Sequence, residues 1–339
     1  MKQHKPLKSM LQMFSTCPQS KDVPITEYYD KVIEVARWSE DAGFEGILIY
    51  TDNGLVDNWS IAQVVLENTE RISPLIAVQP IYVHPYMLAK RIVTLSHLYG
   101  RKLYLNMLAG GFNNDLTALG DDTPHDERYA RTVEYTLILR ALLENDGPVT
   151  FEGNYYQVKN LKMTPSMPKD LQPGILISGS SEAGMQASRD IGASAIRYPK
   201  PVREETIMHE PVAPGIRLGI IARDKAEDAW EIAYDRFPAT RQGQLAHQLA
   251  MKVSDSVWHH ELSDLDEKPA QPGNPYWLRP FQNYQTFCPY LVGTYDRVAE
   301  ELGHYRSLGF EVFITDIPTC KEDLYHIQQV VDRAIMVAS

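Results

Sequence analysis

The sequence predicts an α/β chain folded as a closed (β/α)8 TIM barrel. Eight short apolar runs alternate with segments of helical periodicity, and polar or glycine-rich loops follow most of those runs. Neither a phosphate-loop motif nor a G-x-G-x-x-G after the first strand marks a nucleotide-binding open sheet. A doubly wound open sheet is the alternative, and the count of eight favours closure. Residues 1–339 are expected to form a single barrel domain, with a β-hairpin inserted at about 149–158 and a long lid-like insertion at about 239–287, before the last helix–strand unit.

Ser9 to Phe14 reads as the first strand. A loop with Pro18 and Pro24 leads to a helix from Thr26, its expected N-cap, to Ala42, with Val32, Ile33, Val35 and Ala36 as its apolar stripe and Gly43 ending it. Gly46–Tyr50 is the second strand, apolar throughout as a strand buried on both faces should be. The polar run Thr51-Asp52-Asn53-Gly54 leads to a helix over about Trp59–Glu67, and Pro74–Val78 is the third strand, ending in Gln79-Pro80. His84-Pro85-Tyr86 opens a helix that Gly100 stops, and Leu103–Met107 is the fourth strand. Gly110-Gly111 then frees the backbone to approach a ligand, and a polar loop runs through Thr123-Pro124-His125-Asp126 into a helix over about Arg128–Leu143.

Val149–Val158 alternates around Glu152-Gly153-Asn154 and reads as the inserted hairpin. Ile175–Ser178 is the fifth strand, with Gly179-Ser180-Ser181 at its exit and a helix from Ala183 to Ile191; Ala193–Tyr198 is the sixth and Gly215–Ala222 the seventh. Ala239 to Phe287 mixes a helical start with the Pro/Gly-rich run DEKPAQPGNP, too polar for core and long enough to suggest a functional lid, for which Trp258, Trp277 and Phe281 are the candidate covers. A mobile surface insertion is the plainer reading of the same run. A helix over Tyr295–Ser307, an eighth strand at Glu311–Thr315 and a closing helix after Pro318 complete the chain.

A formal charge of -11 with no clustered Lys/Arg surface disfavours a nucleic-acid partner. Cys17, Cys288 and Cys320 are odd in number and far apart, which suits neither a disulfide framework nor a metal site and points to a reducing cytoplasm. No run reaches the length of a membrane span, and the N-terminus lacks an apolar signal core, so neither insertion nor secretion is expected.

The stretch Leu103–Tyr129 joins strand, glycine turn and helix entry, and a binding site is expected there. Asn106 is a polar amide inside an apolar strand, costing roughly 1–3 kcal/mol unless bonded. Thr51 and Gln79, at the ends of strands two and three, carry the same argument more weakly.

His125-Asp126-Glu127-Arg128-Tyr129 and Gly179-Ser180-Ser181-Glu182-Ala183, in this order, together with Ala42–Ile47, Leu291–Thr294 and Leu308-Gly309-Phe310, resemble the bacterial luciferase-like flavin monooxygenases, most of all their alkanesulfonate branch. The resemblance implies a barrel that binds reduced FMN (FMNH2) from a separate NAD(P)H:flavin reductase, reacts it with O2 and oxygenates a small substrate through a C4a-peroxyflavin, as a homodimer or higher homo-oligomer. It also implies that His125, Tyr129, Gly179, Ser180 and Ser181 hold the phosphate while Asn106 faces the ribityl chain or ring. The turn at Gly179 agrees, since it offers backbone amides and two hydroxyls at a helix entry. The plainer alternatives are that His125 caps its helix, Tyr129 packs in the core, and Ser180 and Ser181 are ordinary N-caps.

The chain departs from the alkanesulfonate pattern near the substrate. Leu55 and Cys17 stand where that branch has a cysteine and a histidine, Gly219 replaces a histidine two residues after the matching Arg217, and Ile317 precedes Pro318 in place of a tyrosine. Losing several polar groups weakens the case for a sulfonate, although Arg217 could still hold an anion. Tyr50–Asn53, Gly110–Asp115, Thr123–Asp126 and Cys288–Gly293 instead resemble luciferase-like oxygenases of secondary metabolism, some of which act on carrier-bound intermediates. That likeness implies Baeyer–Villiger-type insertion or hydroxylation of a larger, less charged substrate. Arg217, His84 and Asp57 are the candidate catalytic groups at the substrate end, and no metal is expected. A deazaflavin-dependent oxidoreductase and a flavin-binding protein without turnover are the competing readings.

Overall fold

A computed structural model describes residues 11–253, 262–263 and 273–337, and its main sheet closes on itself. In chain order the elements are β1 (Gln12–Thr16), α1 (Ile25–Asp41), β2 (Gly46–Ile49), α2 (Asn58–Asn68), β3 (Ser73–Val78), α3 (Pro85–Tyr99), β4 (Tyr104–Leu108), α4 (Asn113–Ala118), α5 (His125–Glu144), β5 (Val149–Glu152), β6 (Gln157–Leu161), β7 (Gly174–Ser178), α6 (Glu182–Ile191), β8 (Ser194–Arg197) and β9 (Gly215–Arg223). There follow α7 (Ala226–Arg236), α8 (Arg241–Val253), β10 (Tyr276–Trp277), α9 (Arg279–Gln282), β11 (Tyr290–Thr294), α10 (Tyr295–Ser307), β12 (Val312–Thr315) and α11 (Lys321–Val337).

Strands β1, β2, β3, β4, β7, β8, β9 and β12 pair in that cyclic order, all parallel, and β12 returns to β1. The pairing of β8 with β9 shuts the ring, so the open-sheet alternative is excluded. All eight barrel strands coincide with the eight runs read from the sequence. The first is displaced: it spans Gln12–Thr16, and Ser9 and Met10 lie outside the described residues.

The barrel interior is filled, not hollow. Phe14, Leu48, Leu75, Tyr104, Leu176, Ile196, Val312 and Ile314 form one buried cluster. Small residues make room for the two large rings: a Cβ on Gly46 would lie 2.7 Å from the Phe14 ring, and one on Gly174 would lie 2.3 Å from that of Tyr104. Alternating bulk and absence of bulk is how a barrel of this size reaches interior packing density. A larger cluster lies between the strands and the helical ring, including Val32, Ile76, Ile92, Leu139 and Leu302.

The structure corrects the sequence reading at three elements. Helix α1 begins at Ile25 with Pro24 in the N-cap position, so Thr26 lies within the helix and does not cap it. The supposed polar loop after β4 contains α4. Strand β9 is nine residues long and serves two partners: Gly215–Leu218 pairs with β12 inside the barrel, while Gly219–Arg223 pairs with β11, an added strand that had not been recognised at Tyr290–Thr294. The antiparallel β5–β6 pair confirms the inserted hairpin and extends it to Leu161. Among the described residues no helix is long and apolar enough to cross a membrane.

Candidate active site

A cavity opens at the C-terminal end of the barrel, lined by Leu48, Ala77, Asn106, Ser178, Ile196, Arg217 and Ile314 from seven of the strands and by the loops that follow them. Leu48, Ile196 and Ile314 belong to the interior cluster, so the floor of the cavity is the top of the packed core. This is the end where strand-to-helix loops can vary without disturbing the barrel. Thr51, Gln79, Asn106, His125, Tyr129, Gly179, Ser180 and Ser181 all line it, so residues from the loops after β2 and β3, from β4, from α5 and from the turn after β7 meet in one space.

At one end, β7 delivers the Gly179-Ser180-Ser181 turn to the N-terminus of α6. Gly179 lies against Tyr129: a Cβ there would sit 2.3 Å from the phenolic oxygen, so the residue has to be glycine for the ring to stay. The Tyr129 hydroxyl donates to the Ser178 carbonyl at 3.4 Å, and the His125 ring meets the Tyr129 ring edge-on at 5.2 Å between centroids. The two serines divide their work. Ser181 is the N-cap of α6, accepting from the Gly184 amide at 3.1 Å, whereas the Ser180 hydroxyl is buried with no hydrogen-bond partner. A buried hydroxyl left unpaired costs about 1–3 kcal/mol, and the positive end of a helix stands beside it, so the site fits an anionic acceptor such as a phosphate monoester. His125 does not cap its helix. It is the first residue of α5, behind Pro124, and its Nδ1 contacts Asp126 at 2.7 Å.

Midway along the cavity, Asn106 is 5% exposed, and its side-chain oxygen accepts from the Ser178 hydroxyl at 3.0 Å. That bond engages the amide oxygen of a residue that lines the cavity together with Gln79 and Thr51.

The other end is built around Arg217 on β9. Its guanidinium lies 4.8 Å from the Tyr50 ring centroid and 5.9 Å from that of Tyr198, and it donates to the Tyr198 hydroxyl at 3.3 Å. Behind it, 3.4 Å away, stands Asp316 at the end of β12. Asp316 also accepts from the Tyr290 hydroxyl at 2.9 Å and from the Thr286 hydroxyl. Burial, and then the nearby Asp316 charge, push the Tyr290 hydroxyl well up, so it stays a proton donor. The Tyr198 hydroxyl is raised by burial and by Cys288 and Asp316.

Two of the three catalytic candidates are elsewhere. Asp57 is the exposed N-cap of α2, accepting from the Ser60 amide at 2.8 Å, and His84 caps α3, accepting from the Tyr86 amide at 3.2 Å; neither lines the cavity. Trp277 and Phe281 are also misplaced as covers. Trp277 is buried among Trp230, Phe237 and Tyr290, and Phe281 is 2% exposed; Trp258 lies outside the described residues. Among the described residues of the 239–287 insertion, Phe287 reaches the cavity. Tyr50, Tyr198, Ser178 and Asp316 were missed, although all four stand at the C-terminal ends of strands, the position that singled out Thr51 and Gln79. Among the described residues no cluster of metal-ligating side chains occurs.

A family model for luciferase-like monooxygenases matches residues 10–311. The 4-(gamma-L-glutamylamino)butanoyl-[BtrI acyl-carrier protein] monooxygenase BtrO of Niallia circulans is 35% identical over 312 residues, covering 90% of this chain and 91% of that protein. Among solved structures, the long-chain alkane monooxygenase LadA aligns with a TM-score of 0.73 at 15% identity, over 97% of this chain and 91% of its own. An F420-dependent secondary alcohol dehydrogenase in complex with an F420-acetone adduct aligns at 0.66 and 16% identity, over 96% and 99%. At these identities the two structures show a shared fold.

Proposed function

The chain belongs to the luciferase-like monooxygenase family and is an oxidoreductase, and from that premise we propose that it is the oxygenating component of a two-component flavin system acting on an acyl group carried as a thioester on a carrier protein. Reduced FMN arrives from a separate NAD(P)H:flavin reductase, and O2 is the co-substrate. The observation that carries the cofactor reading is the buried, unpartnered Ser180 hydroxyl at the entry to α6, beside Tyr129 and His125. The carrier-bound substrate rests on the likeness to BtrO.

Bound reduced flavin supplies the electrons that activate O2. The protein's own residues bind, orient and exclude water. Ser180 and the first turn of α6 hold the phosphate, with His125 and Tyr129 walling it. Asn106, locked by Ser178, donates to the flavin from β4. Tyr50, Tyr198 and Arg217 bound the space left for the substrate over an apolar floor of Leu48, Ile196 and Ile314, which keeps water from the reacting atoms.

The test is an anaerobic titration with reduced FMN, followed by an acyl carrier protein loaded with a 4-carbon acyl chain and exposure to isotopically heavy O2. Gain of one heavy oxygen atom by the acyl group, read by intact-protein mass, is the expected result. Binding of a deazaflavin in place of FMN, with hydride transfer and no oxygen gain, would replace this reading by a dehydrogenase. Tight flavin binding without any turnover would make the protein a flavin carrier, and release of sulfite from an alkanesulfonate would restore the desulfonating alternative.

A further inference from the structure

We infer that Asp316 is the specificity-determining residue of the substrate end, selecting an uncharged acyl oxygen over a sulfonate or carboxylate. The inference rests on the proposed function in taking the space beside Arg217 as the substrate's.

Among the described residues that line the cavity, Arg217 and His125 are the basic ones, and His125 is at the opposite end, proposed above for the phosphate. A guanidinium at that end would ordinarily invite an anion. Here its charge is already answered. Its side chain is 6% exposed and that of Asp316 is 11% exposed, so the pair is shielded from solvent and its field is not screened away. Asp52 and Asp115 line the same cavity, and Asp22, whose carboxyl is raised by burial and by the Asp316 charge, stands nearby; Lys21 is the cation close to both Asp22 and Asp115 and offsets part of this charge. An arriving anion would lose its hydration to meet a compensated cation in a surplus of negative charge. A carbonyl oxygen avoids that cost and still needs donors. Two are present: the Arg217 Nε and the Tyr50 hydroxyl are both buried without a hydrogen-bond partner, and both residues line the cavity.

The compensation is built into the strands. Gly219 follows Arg217 by two residues on β9, and a Cβ there would lie 2.2 Å from the Tyr290 ring. The absent side chain lets that ring cross β9 from β11, and the Tyr290 hydroxyl then holds Asp316 against Arg217. The Thr286 hydroxyl holds the same carboxylate. A cationic side chain at 219 would add positive charge; glycine instead admits the ring that fixes the negative partner.

Calorimetric titration of the full chain without flavin tests this, using a neutral N-acetylcysteamine acyl thioester and an alkanesulfonate of equal chain length. The thioester is expected to bind wild type at least tenfold more tightly. In Asp316→Asn, which keeps the side-chain shape, the ratio is expected to fall at least tenfold through tighter sulfonate binding. Sulfonate binding equal to or tighter than thioester binding in wild type, or failure of the thioester to bind, overturns the inference, as does an unchanged ratio in a variant that unfolds at the wild-type temperature. Should the variant not fold, the wild-type ratio decides alone. Selective thioester binding by a protein that ignores reduced FMN would leave this inference standing and remove the flavin reading.

Discussion

Ser180 and Ser181 are neighbours of identical chemistry, and their difference is one of direction. Ser181 turns back onto the Gly184 amide and caps the start of α6, while the Ser180 hydroxyl is buried at the cavity with nothing to bond. Ser180→Ala should therefore weaken reduced FMN about 10- to 100-fold, the range of one hydrogen bond to a charged group, and change reduced riboflavin, which lacks the phosphate, by less than about twofold. Anaerobic fluorescence titration of both ligands reads the difference, and equal losses would move Ser180 away from the phosphate. Asn106 was legible in the sequence because an amide within LYLNM has few structural excuses. His84 and Asp57 were not, because helix caps and ligand-binding groups draw on the same polar residues at the same strand-to-helix junctions.

At the scale of elements, that ambiguity becomes measurable. Asp57→Ala should cost about 1 kcal/mol of stability, the usual price of an N-cap, and leave reduced FMN affinity unchanged; denaturant unfolding and flavin titration of the same sample check both halves. Strand β9 gives the opposite case, where one glycine serves two sheets. Gly219→Ala sets a methyl against the Tyr290 ring and should destabilise the protein by about 1–3 kcal/mol, seen as a lower midpoint in urea. Pairing it with Tyr290→Ala should cost less than the sum of the two single changes, since the ring removed is the one the methyl meets. The sequence showed the strand but not the partner, because the β9–β11 pairing joins residues about 70 positions apart and leaves no local periodicity to read.

For the whole molecule, acid is the revealing variable. Burial raises the Asp121 carboxyl, but the bonds and charge of Arg131 and the bonds from Thr123 outweigh it and carry it down to about 2 from 3.8. Asp323 is likewise raised by burial and pulled lower overall by Arg236 and Thr319. A carboxyl depressed in the folded state stabilises the fold above its unfolded pKa, and that contribution is lost as pH falls through the folded value. For Asp121 the window runs from about 4 down to about 2. Unfolding free energy should fall across that window, and Asp121→Asn should be less stable at neutral pH and flatter in acid, as urea titrations at stepped pH would record. The Asp121–Arg131 pair ties the loop after β4 to α5, so the same acid range should loosen the wall that carries Gly110 and His125.

The sequence by itself determined the barrel, its eight strands, its inserted hairpin and the Gly179-Ser180-Ser181 turn that lines the cavity. Those features are written in local periodicity, in glycine–serine turns and in short runs whose meaning does not depend on distant partners. Only the tertiary structure decided which polar residues face the cavity and which cap helices, that Trp277 and Phe281 are core, and that Arg217 comes with its own counter-charge. Arg217 and Asp316 are brought together by the closure of the β9–β12 pair, and Tyr290 reaches them from a strand outside the barrel. Charge compensation is a property of that three-dimensional meeting, and no window along the chain contains it.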